Sequence, residues 1–307
     1  QYLKANGFAA PSAALLKAAL VNGAWTPAGG PTGAFPGILD LAGTVLALQE
    51  GAMQLEDDRQ GLAEEEERTY QLQVTDSSRP VRVTLAWTDP PAAAGAAATL
   101  VNDLDLVVTG PNGKKYYGND FSGQGKPDRR NNLEKVYIKE PSPGTYTIKV
   151  KAITVREDSP AGVAGQEFAL AYGQPLARGV VSSATAAQVT LSDGRVFKFP
   201  SGGIKNTVNG RAAAANAAAI LPGSEAYLSP RTLYLAGSRW RADGVQALTA
   251  GEENLFLEIN SQVRGGGYYL DPAGTVNING QAAQPADLPP GFSLEATLNP
   301  ATETLWR

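Results

Sequence analysis

Three stretches of the chain decide the fold: VRVTLAWTDPP (residues 81–91), LVNDLDLVVTGPNGKKYYGND (100–120) and DRRNNLEKVYIKEPSPGTYTIKVKA (128–152). They contain short runs of alternating polar and apolar residues, tight turns, and Asp and Asn residues gathered in the connections. The clearest alternation places Tyr146 and Ile148 on one face of a strand. The pattern predicts an antiparallel β-sandwich or jelly roll that carries a hard-cation site on its loops.

Residues 1–50 are rich in Ala and Leu and predict two short helices. The first begins near Pro11-Ser12 and ends near Asn22-Gly23, and the second covers residues 38–48, with a loop over residues 26–36. Helices this short and apolar are not stable alone. We therefore expect them to need a larger body that is missing from this chain, and to be poorly ordered or self-associating without it.

The middle of the chain predicts one β domain over residues 51–175. We expect residues 56–68 (EDDRQGLAEEEER) to be an acidic, solvent-exposed connection that precedes the strands. The strand candidates are residues 69–74, 81–87, 104–108, 136–138, 145–151 and 168–172. Trp87 follows an apolar strand, and we interpret it as a core residue rather than a ligand-stacking one.

Residues 176–307 predict a further β domain with no assigned role. Residues 189–199 form a hairpin signal with Asp193-Gly194 at the turn. A weak internal repeat, covering about 189–240 and 270–307, predicts a hairpin, a loop and a strand in each copy. The expected fold class is therefore mainly β: a jelly-roll or sandwich domain, a further small β domain, and a helical segment in front.

The composition excludes several functions. The net charge of −4 and the lack of a basic stripe argue against a nucleic-acid partner. No run approaches the roughly 18 apolar residues of a membrane span. Without Cys or His, the chain has neither disulfides nor the usual zinc ligands. No histidine base is present to activate a serine, so we expect no catalytic residue in this chain.

Carboxylates and amides remain as metal ligands, and they suit calcium. Asp103 and Asp105 share one face of a strand, because side chains repeat every second residue. Like charges held together repel one another unless a cation neutralises them. The predicted calcium site uses Asp103, Asp105, Asp120, Asp128, Asn131 and Glu134. Turn capping by the Asp and Asn residues is the structural alternative, and Mg²⁺ is the less favoured ion because it prefers water and phosphate around few carboxylates.

Two sets of residues resemble parts of subtilisin-like serine proteases. PSAALLKAALVNGA (11–24) resembles the helix that closes their catalytic domain. AWTDPPA (86–92), TLVNDLDLVVTGPNGKKYYGND (99–120) and RRNNLEKVYI (129–138) resemble the C-terminal jelly-roll domain of the larger members. The resemblance covers about residues 1–175, and it implies a secreted endopeptidase with a calcium-stabilised β domain behind the catalytic body.

The same resemblance identifies residues 1–50 as the tail of such a catalytic domain. The family's Ser, His and Asp motifs do not occur in this sequence, so the architecture is carried over without the activity. Gln1-Tyr2 is neither a signal peptide nor a start, so we expect a fragment or processed product. The expected partners are the catalytic domain upstream of residue 1 and the protein substrates of the parent enzyme. A stand-alone extracellular module that binds protein or polysaccharide is the alternative.

Overall fold

The structure is a computed structural model that describes residues 2–25 and 37–199, and shorter segments of the remaining chain. Those segments are residues 203–208, 211–215, 225–229, 232–236, 239–249, 255–259, 266–269, 276–278, 281–283, 292–298 and 305–306. The chain divides into two compact units, Gln1–Leu176 and Ala177–Arg307. Within the described residues, no helix is long and apolar enough to cross a membrane.

Among its described residues, the first unit contains three helices and eight strands. The helices are α1 (Tyr2–Ala5), α2 (Ala13–Gly23) and α3 (Leu41–Gln49). The strands are β1 (Met53–Leu62), β2 (Glu67–Val74), β3 (Val81–Ala86), β4 (Asp103–Thr109), β5 (Lys115–Tyr117), β6 (Leu133–Ile138), β7 (Gly144–Thr154) and β8 (Gln166–Gly173).

The eight strands form two four-stranded antiparallel sheets, in the orders β1-β8-β3-β6 and β2-β7-β4-β5. One hydrophobic core lies between them, built from alternate residues of strands in both sheets. On β7, Tyr146, Ile148 and Val150 all face this core, as the alternation predicts. Trp87 lies in the same core, where its indole N–H donates to the carbonyl of Asn102 at 3.1 Å. The mainly β, sandwich-type fold is therefore confirmed, and the jelly-roll assignment and the predicted domain boundaries stay predictions.

Helix α2 covers the outer face of the β1-β8-β3-β6 sheet, where it contacts β8 and β3. Several of the outward residues of β3 and β8 beneath it are small and fully buried, for example Thr84 and Ala171. Small side chains allow a helix to approach a sheet closely, and Leu15 and Ala18 are fully buried in that contact. Our expectation that this helix needs a body missing from the chain was wrong: the sandwich is that body.

The acidic stretch after α3 is also not the connection that we predicted. Its first part belongs to β1, an edge strand paired with β8 from Met53 to Leu62. Charged residues suit an edge strand because they protect it from pairing with other chains. Asp57 has a further role, because its carboxylate accepts the backbone N–H and the hydroxyl of Ser12, at 3.0 and 2.5 Å, at the start of α2.

The described segments of the second unit contain β strands in three sheets. The strands are β9 (Ala177–Ala184), β10 (Gln188–Leu191), β11 (Val196–Lys198), β12 (Ile204–Val208), β13 (Arg211–Ala215), β14 (Glu225–Leu228), β15 (Leu233–Ala236), β16 (Arg239–Thr249), β17 (Leu255–Ile259), β18 (Gly266–Tyr269), β19 (Val276–Ile278), β20 (Gln281–Ala283), β21 (Phe292–Leu298) and β22 (Leu305–Trp306). The sheet orders are β11-β10-β9-β14-β15-β12-β13, β18-β17-β16-β21-β22 and β19-β20.

The hairpin predicted for residues 189–199 is confirmed by the antiparallel pairing of β10 with β11. In each copy of the weak repeat, antiparallel strands flank an Asn-Gly pair: β12 with β13, and β19 with β20. Asn209-Gly210 and Asn279-Gly280 themselves lie outside the described residues, as does the predicted loop over residues 26–36. The repeat as a domain assignment therefore stays a prediction.

Candidate functional site

Four acidic residues gather near one edge of the sandwich, and we call Asp103, Asp105, Asp128 and Glu134 the acidic cluster. Asp103 and Asp105 lie on β4, next to a shift in its pairing register with β7. Such β-bulges re-aim side chains and are common beside functional sites. Glu134 lies on β6 of the opposite sheet, and Asp128 lies in the connection from β5 to β6. The fold therefore brings both sheets and one loop to the cluster.

Glu134 lies on the face of its strand where the alternation of residues predicts an apolar side chain. Val136 and Ile138, which share its face of β6, belong to the sandwich core, and Glu134 itself is fully buried. One carboxylate oxygen, Oε2, accepts the backbone N–H of Leu106 at 2.7 Å. The other, Oε1, is buried without a hydrogen-bond partner. A buried carboxylate oxygen left in this way is costly for the fold.

Gly118 makes room for this carboxylate. It follows β5, and its backbone N–H donates to the carbonyl of Leu106 at 2.9 Å. A Cβ placed on Gly118 would collide with the carboxylate of Glu134. Only glycine therefore fits this position while Glu134 points inward.

Arg129 supplies the positive charge at the cluster. Its guanidinium donates to both carboxylate oxygens of Asp105, with the Nη2–Oδ2 distance at 3.0 Å. It also forms an ion pair with Oδ2 of Asp103 at 3.3 Å. Oδ1 of Asp103 remains buried without a hydrogen-bond partner. The two Asp residues predicted to share one face therefore do share one cation, which is a residue of the chain itself.

Asp128 is held by amide groups. Its Oδ2 accepts from the side chains of Asn119 and Asn131, each at 2.6 Å, and its Oδ1 accepts the backbone N–H of Arg130 at 2.8 Å. Burial raises the pKa of Asp128, but these hydrogen bonds outweigh it and lower the pKa below its ordinary value. Asp128 thus stays ionised, with Asn131 beside it.

Asn119 organises the same loop from a strained position. Its backbone is left-handed, with a φ of 58°, which is uncommon for any residue but glycine. Its side chain donates to Asp128 and to the carbonyl of Leu133, and accepts the backbone N–H of Lys135 at 2.9 Å. These contacts join the loop to β6 and to Asp128.

Asp120, which the sequence groups with these residues, has hydrogen-bond partners in its own loop. Its carboxylate accepts the backbone N–H groups of Gln124 and Gly125 at 2.9 and 2.6 Å, and so closes its own loop. This is the turn-capping role that the sequence left open as the alternative for such residues.

The charges of the cluster perturb one another. Burial raises the pKa of Asp103 to about 6; Arg129 opposes this shift and the neighbouring Asp residues add to it. Burial also raises the pKa of Glu134 well above its ordinary value; the Leu106 N–H opposes this shift, and the charges of Asp105, Asp128 and Asp103 reinforce it. At Asp103, burial and the neighbouring carboxylates therefore outweigh the attraction of Arg129.

The donor set fits a hard cation in its chemistry. Oxygen ligands of this kind suit Ca²⁺, and two buried oxygens, Oδ1 of Asp103 and Oε1 of Glu134, lack partners. Across the described residues, however, no three carboxylates are gathered closely enough to hold a metal as they stand. The guanidinium of Arg129 contacts both Asp103 and Asp105.

Sequence reasoning missed three residues of this site: Arg129, Asn119 as the loop organiser, and Gly118. A signal for Arg129 was present, because it directly follows Asp128 in the loop that carries the predicted ligands. Only metal ions were considered as the neutralising cation. For Gly118 the sequence gives no signal, because its role depends on the approach of Glu134 from another strand.

The acidic cluster lies in a segment of the chain that matches a known protein family. Residues 66–152 match the family described as Bacterial pre-peptidase C-terminal domain. The matched segment is less than a third of the chain. No curated protein matches the chain. The matched segment extends from the start of β2 into β7 and contains the whole acidic cluster. Residues 66–152 are thus similar to a domain typical of the C-terminal regions of bacterial peptidases.

Proposed function

We propose that this chain is the non-catalytic C-terminal region of a secreted subtilisin-like serine endopeptidase, and that its sandwich stabilises the enzyme by binding Ca²⁺. The family match of residues 66–152 supports a peptidase-associated role. The motifs over residues 11–24, 86–92 and 99–120 support the subtilisin-like parent. The chain has no histidine, so the Ser-His-Asp chemistry belongs to a partner, the catalytic domain upstream of residue 1.

The observation that carries the calcium proposal is Oε1 of Glu134, a fully buried carboxylate oxygen without a partner among three further acidic residues. Asp103, Asp105, Asp128 and Glu134 would hold the ion, with Asn131 beside them. Asp120 would hold the loop rather than the metal. Bound Ca²⁺ would supply two positive charges and accept six to eight oxygen ligands, including water. Mg²⁺ suits this set less because it prefers few carboxylates.

A ligand that binds only the folded state stabilises it by mass action. For a protein exposed to proteases, a more stable sandwich opens less often, and cleavage follows the population of open forms. The proposed benefit is resistance to unfolding and to cleavage outside the cell. Placement of protein substrates near the catalytic domain is a second part of the same proposal.

Thermal melting of the 307-residue chain in excess Ca²⁺ and in excess chelator tests the metal proposal. At a free Ca²⁺ concentration about 100 times the Kd, the gain is about 2.7 kcal/mol, or roughly 5–10 °C in Tm for a domain of this size. Asp103→Asn should abolish most of the shift. Asp120→Asn should keep it, because Asp120 lies outside the cluster. Equal melting temperatures with and without Ca²⁺ in the unsubstituted protein would refute the metal proposal.

The peptidase role has a separate test, the reading frame upstream of Gln1. We expect the Asp, His and Ser motifs of a subtilisin-like catalytic domain there, and no labelling of the present chain by a serine-directed probe. An unrelated upstream domain would instead favour a stand-alone module that binds protein or polysaccharide.

A further inference from the structure

Arg129 compensates the acidic cluster incompletely. Its guanidinium contacts Asp105 through two nitrogens and Asp103 through one. It makes no hydrogen bond to Oδ1 of Asp103 or to Oε1 of Glu134, which are buried and lack partners. The donors of a guanidinium all lie in one plane, so it cannot bind oxygens from every direction as a metal ion does. Arg129 thus pairs with two of the four acidic residues and leaves two buried oxygens without a partner.

The position of Arg129 also lets it leave. Its side chain is 45% exposed, whereas those of Asp103 and Asp105 are 13% and 11% exposed. The residue belongs to the connection between β5 and β6, at the surface of the cluster. Rotation of the side chain would therefore carry the guanidinium into water without moving a strand. Strands β4 and β6 stay paired in their sheets, so their carboxylates would turn toward an ion by side-chain rotation alone.

We propose that Arg129 is a tethered counter-cation that competes with Ca²⁺ for the acidic cluster, and that Ca²⁺ binding releases its guanidinium to solvent. This inference rests on the calcium site proposed above and describes how that site is regulated. The guanidinium and the ion need the same oxygens of Asp103 and Asp105, so they exclude each other. Without Ca²⁺, Arg129 keeps β4 from carrying two uncompensated charges, and the sandwich stays folded.

The competition has a measurable consequence. When a site is blocked for most of the time, its apparent Kd is raised by the inverse of the open fraction. If Arg129 blocks the cluster for about 90% of the time, its removal should tighten Ca²⁺ binding roughly tenfold. The same removal should lower the melting temperature in chelator, because Asp103 and Asp105 then repel each other without compensation.

Isothermal titration of the full chain with CaCl₂ tests the inference in three proteins: the unsubstituted chain, Arg129→Gln and Arg130→Gln. Arg130 is the matched control, because it is the neighbouring arginine and its loss changes the net charge equally. We expect roughly tenfold tighter binding for Arg129→Gln and less than about a twofold change for Arg130→Gln. Arg129→Lys keeps the charge without the bidentate fork, so its affinity for Ca²⁺ should lie between those of the unsubstituted chain and Arg129→Gln. It also tests the inference if Arg129→Gln fails to fold.

The outcomes separate the inference from the proposed function. Binding of Ca²⁺ by the unsubstituted chain with no gain, or a loss, in Arg129→Gln and Arg129→Lys would overturn the competition and leave the calcium site standing. Binding by the Arg129 variants alone would support the competition in its strongest form. Absence of binding in every protein would overturn both. Equal gains in the Arg129 and Arg130 variants would reduce the effect to net charge and overturn the inference.

Discussion

Neighbouring residues of β6 solve the problem of a buried charge in opposite ways. Glu134 points inward to the acidic cluster and keeps one oxygen without a partner. Lys135 points outward to α2, where its ammonium donates to the carbonyl of Val21 at 2.9 Å. Arg82 on the adjacent strand β3 donates to the carbonyls of Asn22 and Ala24 at 3.2 and 2.7 Å. We call Arg82 and Lys135 the cationic clamp.

The charges of the cationic clamp serve the structure, whereas Glu134 has an oxygen that remains available to a ligand. The carbonyls at the C-terminal end of a helix lack intrahelical partners and carry a partial negative charge, so cations stabilise them. The clamp therefore fastens α2 to the sheet. One donor of the clamp, Nε of Arg82, is buried without a hydrogen-bond partner. The guanidinium of Arg82 and the ammonium of Lys135 nevertheless both donate to carbonyl oxygens of α2. In the acidic cluster no comparable group reaches Oε1 of Glu134.

Removal of a clamp charge should have the largest effect on stability. Arg82→Met leaves the carbonyls of Asn22 and Ala24 without this donor, and a buried polar group that loses its partner costs about 1–3 kcal/mol. Chemical denaturation in chelator measures the change. Arg130→Met, an exposed arginine, is the control and should change the free energy of unfolding by less than about 0.5 kcal/mol. A loss below about 1 kcal/mol for Arg82→Met would show that the clamp does not hold α2.

Removal of a cluster charge should act in the opposite direction. Glu134→Gln keeps an oxygen for the Leu106 N–H and removes a buried negative charge. We expect it to raise the free energy of unfolding in chelator by about 1 kcal/mol, because the desolvation of the carboxylate is removed. The same variant should lose the stabilisation by Ca²⁺. Denaturation with and without Ca²⁺ measures both effects. A large loss of stability in chelator would make Glu134 a structural residue like those of the clamp.

The smallest effect is expected at Asp76, a carboxylate with a full set of partners. It accepts the backbone N–H and hydroxyl of Ser78 at 2.9 and 2.5 Å and the Nε of Arg79 at 2.8 Å. Burial raises its pKa, but these hydrogen bonds outweigh burial, and the pKa lies below its ordinary value. Ionised Asp76 therefore stabilises the fold above about pH 4, and this contribution is lost as the pH falls through the lowered pKa.

Asp76→Asn tests that sign. The variant should lose less than about 1 kcal/mol at pH 7, because the group is partly exposed. The difference from the unsubstituted protein should shrink as the pH falls from 5 to 2 (about the range over which Asp titrates). Denaturation in chelator at several pH values measures it. If the difference in free energy of unfolding grew as the pH fell, Asp76 would be stabilised in its protonated form. It would then no longer serve as the example of an ionised carboxylate with all its partners.

Sequence reasoning reached the strands of the sandwich because their signal is local. Alternation placed Tyr146, Ile148 and Val150 in the core, and Asp193-Gly194 marked a hairpin. It failed for residues 56–62, where charge indicated a connection although the segment is an edge strand. Edge strands tolerate charge on one side, so composition alone does not distinguish them from exposed loops. The helix α2 was located correctly, but its partner sheet was not.

The chain itself determined the mainly β fold, the absence of a histidine base, and the acidic residues from which a calcium ligand set was predicted. Those properties depend on residue type and on short-range periodicity, and both can be observed in one dimension. Only the tertiary structure decided that α2 packs on the sandwich and that Arg129 faces Asp103 and Asp105. These depend on contacts between segments distant in sequence, and no local pattern records which buried charge will find a partner.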